Sequence, residues 1–189
     1  FSPPAAVRRA RKRQLEPGVF SGSEAEPLYG DTYLPRKFKV AVTVPGDNSV
    51  DLLTQDIGLV AFTDPSGDLR GCNVYVGGGM GRTHNKEETF ARIADPLGYV
   101  DAADVFDLLQ AIVALQRDHG DRRIRRHARM KYLLEDRGIA WFRNELKANY
   151  FSRPLKGLRN EAKPKLLDYL GWHRQKAGLW FVGLPLLCG

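Results

Sequence analysis

The chain has 189 residues, 43% of them hydrophobic and 27% charged, the make-up of a globular domain able to bury a core. Lysine and arginine outnumber aspartate and glutamate by 29 to 22, a formal charge of +7. No apolar run approaches the roughly 20 residues of a membrane-spanning helix. The two cysteines, Cys72 and Cys188, are too few for a disulfide framework and lack the spacing of a zinc or iron–sulfur site. A reducing compartment follows from that usage. The first residue, Phe1, and the apolar run before Gly189 give the expectation of a piece cut from a longer chain.

Residues 1–30 read as a Pro/Gly/Ser-rich linker carrying the basic run Arg8-Arg9-Ala10-Arg11-Lys12-Arg13, a solvated segment on composition alone. From residue 38 to 44 apolar positions recur every second residue, which predicts a half-buried strand ended by Pro45-Gly46-Asp47-Asn48. Asn48 or Ser49 can cap a short helix over 50–56. Residues 57–63 and 69–76 read as strands joined by the hairpin loop Asp64-Pro65-Ser66-Gly67-Asp68. A short helix is expected over 89–94, ended by Asp95-Pro96. Asp101 caps a long amphipathic helix whose apolar face is Val105, Leu108, Leu109, Ile112, Val113 and Leu115, closing at Gly120. Two more helices, 126–137 and 139–149, break at Gly138. Residues 151–164 read as a loop, 166–173 are ambiguous, and 179–187 read as a strand. Strands first and helices after, with no regular alternation, make the fold class α+β.

Three constellations could carry chemistry. Alternate side chains of a strand share a face, so Lys37 and Lys39 point the same way, opposite Phe38, with Arg36 just ahead. Two ammonium groups on one face repel unless an anion lies between them. That leaves two readings: a solvated strand end, or a small-oxyanion clamp whose lysines also pass protons. Next comes Gly77-Gly78-Gly79-Met80-Gly81, directly after a strand and followed by Arg82 and His84. Its N–H groups are free of side-chain obstruction, the general design for cradling phosphates or carboxylates, although a tight turn explains the glycines as well. It has neither the dinucleotide spacing nor a P-loop ending. Finally, 117–131 holds Arg117, Arg122, Arg123, Arg125, Arg126, Arg129 and Lys131 against Asp118 and Asp121. Arg122, Arg125, Arg126 and Arg129 have the spacing of one helical face, whose like charges need a polycarboxylate or a phosphate backbone to offset them. Nucleic-acid binding by this cluster and the 8–13 run is therefore an alternative, although no aromatics interleave the basic residues. The histidines, His84, His119, His127 and His173, show no metal spacing.

Residues 33–39 (YLPRKFK), 39–58 (KVAVTVPGDNSVDLLTQDIG), 73–84 (NVYVGGGMGRTH) and 116–132 (QRDHGDRRIRRHARMKY) together resemble the sirohaem-containing assimilatory sulfite and nitrite reductases. The likeness is strongest to the ferredoxin-dependent sulfite reductases of plastids and cyanobacteria, and it runs from about Pro27 to the end. It implies a mixed β-sheet covered by helices, forming a sirohaem-binding domain over 31–165. It further implies that 166–189 open a second ferredoxin-like half-domain with its first strand.

By the same resemblance, electrons from ferredoxin reach a four-iron four-sulfur cluster and then sirohaem, where sulfite takes six electrons to become sulfide. Lys37 and Lys39 match the lysines that hold the substrate anion. Arg36 is expected to meet sirohaem carboxylates. Gly77, Gly78 and Gly79 match the turn packed against the cofactor. Arg129 falls near the sirohaem, accompanied by Arg122, Arg125 and Arg126. Nitrite reductases usually carry Asn at the position of Lys39, so sulfite is the expected substrate and nitrite the alternative. The cluster cysteines, as Cys-x5-Cys and Cys-x3-Cys, are expected downstream of this chain and two further substrate arginines upstream. No metal ligand and no independent turnover are therefore expected of the chain itself. The expected partners are acidic ferredoxin, sulfite and, non-specifically, organelle DNA, with no membrane. The expected location is the plastid stroma or a cyanobacterial cytoplasm.

Overall fold

Four stretches rich in β-branched residues form one sheet in the order β1-β2-β3-β4: β1 (Val40–Thr43), β2 (Ile57–Thr63), β3 (Leu69–Val76) and β4 (Asp95–Asp101). The structure is a computed structural model that describes residues 28–29, 32–160 and 169–185. Cys188 and the Arg8–Arg13 run lie outside the described residues. β1 pairs parallel with β2, while β2–β3 and β3–β4 are antiparallel. The sheet is thus mixed, as expected.

Two helices cover it. α1 (Val105–His119) turns Leu108, Ile112 and Leu115 into the core, as its periodicity predicts. α2 (Met130–Glu145) buries Met130, Leu133, Leu134 and Phe142 against Ile57, Leu59, Val74 and Val76. Gly138 interrupts α2 with φ 79°, a left-handed angle that suits glycine, so the expected break is real although the helix resumes beyond it. One wide turn, Leu146–Tyr150, continues α2.

Four expectations need correction. The helix expected over 50–56 is only the single 3₁₀ turn Leu52–Thr54, preceded by Asp51 in a left-handed conformation (φ 47°). No helix forms over 89–94; the chain instead enters β4 at Asp95. Pro96 is tolerated there because β4 is an edge strand and β3 shifts register between Val74 and Tyr75, where a missing N–H costs least. α2 starts at Met130 rather than 126, because Asp121 Oδ1 accepts from the N–H groups of Arg123 and Ile124 and bends the chain into a turn. Finally, the β1 valines are not half-buried. Their register places Val40 and Val42 on the same face as Ile57 and Leu59, yet they remain 48% and 55% exposed, because the helices do not reach over the edge strand.

A separate antiparallel ribbon pairs β5 (Gly171–Arg174) with β6 (Trp180–Gly183). Residues 171–173 of the segment read as ambiguous therefore lie in a strand, and the described part of the strand expected over 179–187 pairs with it. Trp172 and Trp180 are exposed on this ribbon.

Candidate functional site at one end of the sheet

The register gathers the site. Val40 lies opposite Ile57, Ile57 opposite Val76, and Val76 opposite Asp95. The segments that meet the sheet at that end are therefore 36–39, 55–56, 77–81 and 92–94. Lys37 and Lys39 are exposed there and Arg36 is half-buried, and none of the three enters an ion pair among the described residues.

Behind Lys39 stands Asp56, which is wholly buried. Its Oδ2 accepts from the Lys39 backbone N–H at 2.9 Å and from Arg129 Nη2 at 2.9 Å. Oδ1 of Asp56 and Nε of Arg129 have no hydrogen-bond partner among the described residues. Burial raises the Asp56 carboxyl above its ordinary 3.8, against the opposing pull of Arg129 and Lys39.

The glycine turn is close-packed rather than an open cradle. The N–H groups of Gly77, Gly78 and Gly79 donate to the carbonyls of Asp56, Gln55 and Arg92 at 2.9, 2.9 and 2.8 Å. They are not available to an anion, which corrects the expectation of free N–H donors. Glycine is required for another reason: a Cβ on Gly78 would lie 2.2 Å from the Leu53 carbonyl oxygen. Gly81 differs, since a Cβ there would meet nothing within 4 Å.

Two cations hold this turn from within. Arg92 donates to the Gly77 carbonyl at 3.1 Å and pairs with Asp95 at 2.6 Å and Glu135 at 3.0 Å. Lys131 is 1% exposed, and its ammonium donates to the carbonyls of Gly81 (2.7 Å), Gly79 (3.3 Å) and Phe90. It also sits 4.8 Å from the Tyr132 ring centroid. Burial, followed by the charge of Arg129, lowers its pKa. Neither Asp56, Arg92 nor Lys131 stands out by spacing, because each has a partner far along the chain: Arg129 is 73 residues from Asp56, Glu135 is 43 from Arg92 and Gly79 is 52 from Lys131.

The arginine cluster does not form one cationic face. Arg122 lies before α2 in a bend, Arg125 and Arg126 sit in the 3₁₀ turn Arg125–His127, and Arg129 is the residue before α2. Arg122 donates to the carbonyls of Thr32 (3.0 Å), Tyr33 (2.6 Å) and Arg117 (2.8 Å), stapling the segment that leads to Arg36. Arg117 pairs with Asp118 at 2.6 Å and donates to the Leu28 carbonyl. Arg126 lies 4.0 Å from Glu88. Of the arginines in this stretch, only Arg123 and Arg125 have side chains without a partner among the described residues. The cluster thus offers no continuous row of free charges for a phosphate backbone, and the nucleic-acid reading loses its basis in 117–131.

Residues 13–155 match the family described as "Nitrite and sulphite reductase 4Fe-4S domain". The chain belongs to the nitrite and sulphite reductase family. It is 58% identical, over 187 residues, to a protein named "Sulfite reductase [ferredoxin]" from Synechococcus elongatus, covering 99% of this chain and 29% of that one. It is 44% identical over 157 residues to "Sulfite reductase [NADPH] subunit beta" of Saccharomyces cerevisiae, covering 82% of this chain and 11% of that protein. Among solved structures it resembles the NirA protein of Mycobacterium tuberculosis, with a TM-score of 0.60 and 33% identity, over 79% of this chain and 26% of that one. The chain thus spans less than a third of the reductases it matches.

The family implies a polycarboxylate tetrapyrrole and an iron–sulfur cluster. The sheet end fits the first: Arg36, Lys37 and Lys39 are cations without an ion pair among the described residues, beside a turn left open at Gly81. The described residues do not fit the second. No group of three or more His, Cys, Asp or Glu side chains among them could hold a metal. Cys72 is buried within β3, its thiol pKa pushed up by that burial. Among the described residues no helix is long and apolar enough to cross a membrane.

Proposed function

We propose that this chain is the substrate-binding segment of a ferredoxin-dependent sulfite reductase, which reduces sulfite to sulfide. The observation that carries this reading is the pair Lys37 and Lys39, exposed and without ion-pair partners among the described residues, beside the buried carboxylate of Asp56. It is supported by the 58% identity to the Synechococcus elongatus protein of that name. Residues 31–165 form the sirohaem-binding domain, 1–30 its basic linker, and 166–189 the opening of a second ferredoxin-like half-domain. The cluster ligands belong to the rest of the reductase.

Arg36 and Arg129 would hold carboxylates of the tetrapyrrole, with Arg125 and Arg126 at its margin and the Gly77–Gly79 turn as its close-packed floor. Arg122 serves this set at one remove, by fixing the segment that carries Arg36. Bound sirohaem supplies the redox-active iron at which an oxyanion is reduced. The ammonium groups of Lys37 and Lys39 bind and orient the anion through point charges, and their Nζ protons can be donated to its oxygens. Ferredoxin is the electron donor, and the compartment is one that holds it, the plastid stroma or the cyanobacterial cytoplasm. The excess positive charge steers the acidic donor, so its kcat/KM falls as ionic strength rises.

In the full-length reductase, Lys39→Asn tests the substrate assignment. The preference ratio of sulfite to nitrite, each measured as kcat/KM, falls by about tenfold or more if Lys39 selects the anion, the scale of one lost charge-assisted hydrogen bond. An unchanged ratio contradicts sulfite selection by this residue.

A further inference from the structure

The site has a carboxylate where an anion-binding region should least tolerate one. Asp56 is wholly buried, and its charge is matched imperfectly, since Oδ1 and Arg129 Nε both lack hydrogen bonds among the described residues. A buried ion pair of this kind costs desolvation that its mutual attraction only partly offsets, so stability alone does not account for it. What it does supply is geometry. One oxygen, Oδ2, takes both the Lys39 N–H and the Arg129 guanidinium at 2.9 Å. The Lys39 carbonyl accepts from Ile57 N–H at 3.0 Å, so both main-chain groups of Lys39 are fixed by residues 56 and 57. The Asp56 carbonyl in turn accepts from Gly77 N–H at 2.9 Å. A single residue therefore ties β1, the glycine turn and the start of α2 together.

We propose that Asp56 is the positioning residue of this site, holding the Lys39 backbone and the Arg129 side chain on one carboxylate oxygen so that the Lys39 ammonium is presented to the anion. This rests on the reading of Lys39 as an anion-binding lysine. Asp56 touches no substrate itself and acts through its neighbours. Lys39, Arg129 and, at longer range, Lys131 are the charged groups that interact with it.

The test uses the full-length, cofactor-loaded reductase and three variants: Asp56→Asn, Lys39→Met and the double variant. Asp56→Asn keeps the side-chain shape and removes the charge that holds Arg129. It is expected to raise the sulfite KM roughly tenfold while kcat changes less than about threefold, because binding geometry is lost rather than a reacting group. Added to Lys39→Met, it raises KM no further, since two residues acting through one contact are not additive. The proposal is overturned if Lys39→Met raises KM and Asp56→Asn does not, or if the two effects simply add.

If Lys39→Met leaves KM unchanged, the anion-binding reading fails, and hydrogen exchange decides on Asp56 alone. In the unaltered enzyme the Lys39 amide, on an exposed residue ahead of β1, is expected to be protected to the same order as the Ile57 amide; exchange at open-loop rates contradicts the proposal. Should Asp56→Asn fail to fold, Arg129→Gln breaks the same pair from the other side, and the same KM outcomes apply.

Discussion

Two basic regions of this chain have the same sign and opposite employment. Arg36, Lys37 and Lys39 stand at the end of an edge strand with no ion pair among the described residues. Between 117 and 131, by contrast, Arg117, Arg122, Arg129 and Lys131 are all engaged by carbonyls or carboxylates of the protein itself. The denser region looks more like an anion site in the sequence, yet its charges are mostly neutralised or directed at backbone. The sparser one leaves its cationic groups without an ion pair or hydrogen bond among the described residues. Density of positive residues measures neither availability nor potential; what matters is how many local acceptors compete for each cation.

The sharpest way to break this contrast is Lys131→Met. Removing the ammonium leaves the carbonyls of Gly79, Gly81 and Phe90 facing an apolar side chain inside the protein. The loss is expected to be about 2–4 kcal/mol of stability, read as a lower urea midpoint together with faster amide exchange across 77–81. A change within about 0.5 kcal/mol, the ordinary range for surface substitutions, contradicts the structural role assigned to this lysine.

A smaller effect is expected at Asp56. Its folded pKa lies above the unfolded value near 3.8, so in the window just above 3.8 the folded state binds more protons than the unfolded one. Stability attributable to Asp56 is then fully present below that window and declines as pH rises through the folded pKa. Asp56→Asn removes this decline, so the stability of the unaltered protein relative to the variant falls as pH rises through the window. Curves that run parallel across the window count against a raised carboxyl.

Smaller again is Arg122→Met. Its partners are exposed backbone carbonyls, so about 1 kcal/mol is expected, seen as faster proteolysis or exchange near residues 32–35 with the bulk of the protein untouched. The smallest effect on stability belongs to Lys37→Met, within about 0.5 kcal/mol, because no partner among the described residues is lost.

Much of the fold was legible in the residues. β-rich runs either side of a proline–glycine hairpin loop mark β2 and β3, and the apolar face from Val105 to Leu115 marks α1, because each is a local pattern read without knowing the tertiary contacts. β4 was hidden by Pro96, which argues against a strand unless it is known to be an edge strand beside a register shift. The arginine spacing was misleading for a related reason: periodicity assumes a helix, and the helix begins only at Met130. In the site, Lys37 and Lys39 declared themselves as like charges two residues apart. Asp56 carried no such signal, since its partners lie 17 and 73 residues away in sequence. The N–H groups of the glycine turn were misjudged because glycine content reveals an unobstructed backbone and says nothing of which carbonyls have already claimed it.

The most direct measurement compares Lys39→Met with Arg122→Met in the full-length reductase, reading sulfite kcat/KM and the unfolding midpoint for each. The free-versus-engaged distinction predicts that Lys39→Met lowers kcat/KM by about tenfold or more with an unmoved midpoint, while Arg122→Met does far less to sulfite turnover. Equal losses for the two variants, or no loss for Lys39→Met, contradict it.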